Sequence, residues 1–147
     1  MMISGLSNLV ILFALIAGNA QDDNKKQSSL LEGEWTMVSG TANGQPMPET
    51  MVKTGKRVAK DGETSISFNG QTYFKAKYKV DASTKPRSID YQMTEGFTKG
   101  KTQLGIYELK DDSVTFCFGA PGKPRPTDFT SEAGSERTLS VWKRVKK

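Results

Sequence analysis

Seventeen residues near the C-terminus, Ser113 to Phe129, read SVTFCFGAPGKPRPTDF. They hold the only cysteine of the chain, Cys117, and they hold Arg125 between Pro124 and Pro126. A thiol becomes a nucleophile only as the thiolate, which needs a base or a positive neighbour to form. The chain has no histidine. A Ser-His-Asp or Cys-His pair is therefore ruled out. So is a zinc site of the common nitrogen and sulfur type. An enzyme here would have to work with tyrosine, cysteine, arginine and carboxylates alone. No catalytic residue, metal ligand or cofactor is expected.

Binding chemistry is left. Pro124 and Pro126 fix their own φ angles and bias the residues before them towards extended backbone. Arg125 is thus carried on a partly pre-ordered loop. It has two readings. One is a planar fork at the mouth of a cavity, pairing with a carboxylate or phosphate. The other is an internal ion pair, with Asp128 or Asp90, that pins the loop. Cys117 also divides. A small buried hydrophobe is the common role of a free cysteine. A thiol touching a ligand is the sharper reading, and an intermolecular disulfide is a third. Trp35, Phe74, Tyr78, Tyr91 and Tyr107 are candidates to line an apolar pocket.

These side chains need elements to position them. The first twenty residues, MMISGLSNLVILFALIAGNA, carry no charged side chain, and Leu9 to Ala17 are all apolar. That run is too short for a membrane span, which takes roughly 20 residues. With the small residues that follow, it has the layout of a secretory signal peptide cleaved between Ala20 and Gln21; an uncleaved anchor is the second reading. Residues 21–29 read as a polar linker. Residues 30–147 form one domain, enough for a core without disulfides. Lysines and arginines number 21 against 16 acidic residues, a net charge of +5.

From Leu30 onward, short β-branched and aromatic runs alternate with Gly, Asn, Asp and Pro clusters. They predict eight strands: about 32–39, 56–60, 64–68, 72–80, 88–94, 102–109, 113–118 and 137–145. Asp61-Gly62, Asn69-Gly70 and Asp111-Asp112 make the tight turns. The connection TANGQPMPETMVKTG allows one helical turn from Pro48 to Val52. Phe74, Ala76, Tyr78 and Val80 alternate with Lys75, Lys77 and Lys79, so one face is buried and one is wet. Closing the sheet removes its exposed edges. The expectation is an eight-stranded antiparallel up-and-down barrel, with a two-sheet sandwich as the alternative.

The stretch LEGEWTMVSG resembles the lipocalin and fatty-acid-binding barrels through Gly33-x-Trp35. The resemblance implies that Trp35 plugs one end and that a basic residue of the last strand, Lys143 or Arg144 in SVWKR, crosses its ring. LEGEW, NGQPMPE, KPRSIDY, EGFTKGKTQLGIYEL and VTFCFGAPGKPRPTDF are together similar to uncharacterised secreted lipocalin-like domains found mainly in planctomycete bacteria. The matching positions include Gly105, Tyr107, Cys117, Pro121, Gly122, Arg125 and Phe129. The resemblance implies the barrel and an extracytoplasmic setting (periplasm, envelope or medium), and no activity.

The function expected is non-covalent binding of a small, partly apolar ligand, which an acidic group would suit, by a monomer. Candidate ligand contacts are Phe74, Tyr78, Tyr91, Tyr107, Cys117 and Arg125. The alternative is a filled barrel that binds an envelope protein or anionic polymer through its surface and loops. Export and the lack of a recognised motif disfavour nucleic acid.

Overall fold

The computed structural model describes residues 20–146. The expected signal segment lies outside the described residues except for Ala20. Residues 20–30 are helical (α1). The chain then forms β1 (Gly33–Ala42), β2 (Gln45–Pro46), α2 (Glu49–Thr54), β3 (Lys56–Lys60), β4 (Glu63–Phe68), β5 (Gln71–Asp81), β6 (Arg87–Glu95), β7 (Thr102–Lys110), β8 (Ser113–Phe118) and β9 (Thr138–Arg144).

Every pairing is antiparallel, and each long strand bonds to the next in sequence. β1 pairs with β3 on one side and with β9 on the other, from Trp35↔Arg144 to Ala42↔Thr138. That double pairing closes an eight-stranded barrel, with β2 an appendage of β1. The sandwich is thereby set aside.

Local chemistry explains the turns. Asn43-Gly44, Asp61-Gly62 and Asn69-Gly70 each have two successive positive φ values, the mirror-image turn whose twist suits a hairpin. The first of these makes the β1–β2 hairpin inside what reads from sequence as an open connection. The alternation of β5 holds: Ala76 and Tyr78 are buried, while Lys75, Lys77 and Lys79 are exposed. The core inside the barrel includes Trp35, Ile66, Ile89, Tyr91, Val114, Phe116 and Trp142.

The polar linker is corrected by α1. Asn24, Gln27 and Ser28 are the half-buried positions of that segment and lead to fully buried Leu31. The spacing is helical, but the docked face is polar, so hydrophobic periodicity does not register it. The helix attaches by hydrogen bonds instead. The Tyr78 hydroxyl donates to Ser28 O at 3.3 Å, and the Tyr107 hydroxyl to Gln27 Oε1 at 3.1 Å. The amide of Ala82 donates to Asn24 Oδ1 at 2.8 Å. α1 thus covers one end of the barrel.

Candidate functional site

The covered end is built around Trp35. Its Nε1 donates to Leu31 O at 3.1 Å. The Arg144 guanidinium sits 4.2 Å from the ring centroid, and its two terminal nitrogens donate to the carbonyls of Glu32 and Leu30, each at 2.7 Å. Of the two basic candidates, Arg144 takes the role and Lys143 points to solvent. Gly33 makes this fit. Its φ is +114°, and a Cβ there would lie 3.3 Å from the Arg144 guanidinium. The Gly-x-Trp spacing therefore places an indole and leaves room for the cation that covers it.

Above this floor the barrel is hollow. A cavity of about 480 Å³ is lined by side chains that include Met37, Ile66, Phe68, Phe74, Tyr91, Met93, Phe118 and Trp142. Its rim is formed by Met47, Pro48, Met51, Tyr73 and Phe97. Tyr73 and Phe97 are exposed there, Phe97 completely. Edge-on and tilted ring contacts run inward from the rim: Tyr73 to Phe74 at 6.0 Å, Phe74 to Tyr91 at 6.0 Å, and Tyr91 to Phe118 at 4.2 Å between centroids. Gly105 makes room for the last of these rings, since a Cβ there would stand 2.5 Å from Phe118 Cδ1.

The six candidate ligand contacts separate into three places. Phe74 and Tyr91 line the cavity. Tyr78 and Tyr107 are buried at the covered end, with their hydroxyls committed to α1. Burial pushes the Tyr107 hydroxyl up to about 12. It pushes Tyr78 up too, while the bond to Ser28 and the charge of Arg57 pull the other way.

Cys117 and Arg125 lie outside the barrel wall. Cys117 pairs with Ile106 on one side and Leu139 on the other, on the face opposite Phe116 and Phe118. The loop between β8 and β9 covers it, burying Pro126 as well. Cys117 Sγ donates to Thr130 O at 3.5 Å, and burial raises the pKa of the thiol. Arg125 is the pin and not the fork. Its Nη1 donates to Gly105 O at 2.8 Å and to Ile89 O at 3.4 Å, and Nη2 approaches Asp90 Oδ1 at 2.7 Å. That approach is an ion pair without hydrogen-bond alignment, since Asp90 Oδ1 accepts no hydrogen bond from the described residues. Asp128, the other expected partner, pairs with Arg137 at 2.9 Å.

The residue missed from sequence is Arg57. It is completely buried, in the wall of the cavity. Its guanidinium carbon lies 4.6 Å from the Phe116 centroid and 5.7 Å from that of Tyr78. Nη1 donates to Leu31 O at 3.5 Å and Nη2 to the Tyr91 hydroxyl at 3.3 Å, both long. Nε has no partner. A charge buried this way, with no salt-bridge partner among the described residues, costs several kcal/mol.

Compared with models of known families, with curated proteins and with solved structures, the chain gives no match.

Proposed function

We propose that this protein is an exported, monomeric, lipocalin-like barrel that takes a small, largely apolar molecule into its interior. The supporting observation is the cavity of about 480 Å³, inside the range of roughly 300–1,000 Å³ usual for small-molecule sites. Its wall is methionine, aliphatic and aromatic, with few polar groups. Such a surface gains from excluding water, at about 25 cal/mol for each Å² of apolar area buried. The alternative, a filled barrel acting through its outer face, calls for an interior without space. Export rests on the uncharged leader, and membership of the secreted lipocalin-like domains rests on the motif residues quoted above.

Titration of the purified protein with the neutral fluorophore N-phenyl-1-naphthylamine tests this. Saturable binding at one site is expected, and Met93→Trp, which fills the cavity, should weaken it. Failure of this and other neutral apolar probes to bind would defeat the proposal.

A further inference from the structure

We infer that the chain carries a second binding site, on the outside of the end that α1 covers, for a small carboxylate with an aromatic body. The site is a cleft of about 370 Å³ whose lining includes Lys85, Pro86, Arg87, Glu108 and Phe129. It lies at the opposite end of the barrel from the rim of Tyr73 and Phe97, and it does not depend on the cavity reading.

The register opens the cleft. β6 starts at Arg87, opposite Tyr107 of β7. β7 runs on to Lys110 with a partner strand on its β8 side alone. Residues 82–86 cross the gap as a loop, and Phe129 reaches it from the β8–β9 connection. Three stretches distant in sequence, KPRSIDY, GIYEL and KPRPTDF, thus meet at one place. The loop is ordered by its own bonds. Asp81 Oδ1 accepts from the Ser83 amide at 2.9 Å. Thr84 Oγ1 donates to Pro86 O at 2.8 Å and lies 2.7 Å from Ser88 Oγ. Asn24 of α1 holds the amide of Ala82. Lys85 and Arg87 are therefore placed before a ligand arrives, which limits the entropy that binding costs.

What Arg87 lacks is an acceptor. Arg57, Arg125, Arg137 and Arg144 each donate to at least one oxygen. Arg87 is half-buried, so part of its surface stays open, while its Nε is enclosed without a partner. Neither Arg87 nor Lys85 belongs to an ion pair among the described residues. Glu108, the acidic residue of the lining, is exposed and pairs with neither of them. Two cations against one carboxylate leave the cleft positive. A guanidinium edge matches the two oxygens of a carboxylate. The rest of the lining suits an apolar body. Pro86 and Phe129 offer half-buried apolar faces, and a ring seated on Phe129 gains from offset or edge-on contact. An inorganic anion would use the cations and leave those faces bare.

Calorimetric titration with phenylacetate, its neutral analogue phenylacetamide and inorganic phosphate tests this, in wild type, Arg87→Met, Arg87→Lys and Phe129→Ala. Phenylacetate is expected to bind one-to-one, about tenfold more tightly than the amide or phosphate. Arg87→Met should erase the advantage over the amide, Arg87→Lys should keep part of it, and Phe129→Ala should weaken acid and amide alike. Added phenylacetate should leave the N-phenyl-1-naphthylamine signal unchanged, because the cavity opens at the other end. No saturable binding of phenylacetate at millimolar concentration, equal binding of acid and amide, or binding that Arg87→Met leaves intact overturns the inference. So does phosphate binding as tightly as phenylacetate, which would make the cleft a plain anion site. So does displacement of the fluorophore, which would put the acid in the cavity. None of these results defeats the cavity reading, which fails only if the neutral probes do not bind. Should Arg87→Met fail to fold, Arg87→Lys and Phe129→Ala still decide the matter.

Discussion

Arg144, seven residues into the last strand, lies over the indole of Trp35, three residues into the first, at 4.2 Å from the ring centroid. The two are also register partners in the β1–β9 pairing. The contact therefore sits on the seam that turns a sheet into a barrel. Replacing Arg144 by Ala removes a cation–π contact and leaves two carbonyls, of Glu32 and Leu30, without their donors. Stability should fall by about 2–3 kcal/mol. Lys143→Ala should stay within about 0.5 kcal/mol of wild type. Urea midpoints with an unchanged slope would show this; equal effects of the two changes would remove Arg144 from its role.

Arg125 holds the β8–β9 loop to the barrel wall through Asp90 and the carbonyls of Ile89 and Gly105. Both charged side chains are partly exposed, so screening limits the ion pair. Arg125→Ala should cost about 1–2 kcal/mol and leave fluorophore affinity unchanged. Asp90→Asn should cost less, and the two losses should not add, because the partners are shared. A loss of ligand affinity in Arg125→Ala, with stability intact, would return the arginine to the site.

Cys117 is sealed under the same loop, with its thiol pKa raised by burial. Iodoacetamide should therefore label the native protein slowly and the urea-unfolded chain fast. Fast labelling of the native form would mean that the loop lifts readily. Arg125→Ala should speed native labelling, since it removes the pin.

Tyr107 contributes a pH dependence. Its hydroxyl is held up at about 12 by burial, against about 10 in an unfolded chain. Above pH 10 the unfolded state gives up a proton that the folded state keeps. The stabilisation is complete below about pH 10 and is lost as the pH rises towards 12. The loss is of order 1–2 kcal/mol once solvent screening is allowed for. Tyr107→Phe should reduce the slope over this range, leaving the part due to Tyr78. Urea midpoints measured across the alkaline range read it directly; an unchanged slope would contradict the assignment.

The barrel was legible because its signals are local. Two-residue turns with Asn-Gly or Asp-Gly set hairpin register, and the lysine row of β5 marks its wet face. The Trp35–Arg144 seam was legible through the resemblance carried by Gly33-x-Trp35. The site was less so. In KRVAK both faces mix polar and apolar residues, so alternation alone does not tell whether Val58 or Arg57 faces inward. The Asp61-Gly62 turn does tell. It sets Lys60 opposite Glu63 and hence Arg57 opposite Ile66, so the arginine shares the face of a core isoleucine. Arg125 and Cys117, each read from sequence as either a ligand contact or a structural residue, lie away from the cavity for a different reason. A long loop folding back over an outer face buries residues that strand alternation would leave wet, and nothing in local spacing encodes that return. The helix α1 escaped because its docked side is amide and hydroxyl.

The two tryptophans divide the molecule between them. Trp142 is part of the cavity wall, with its Nε1 bonded to Ser140 Oγ at 2.8 Å. Trp35 is walled off beneath the floor, under a guanidinium. Their emission should therefore respond to different events. Occupancy of the interior will change the signal of the first and spare the second, while denaturation changes both. With either indole replaced by Phe, the protein carries its own optical gauge, one version for filling and one for the integrity of the fold.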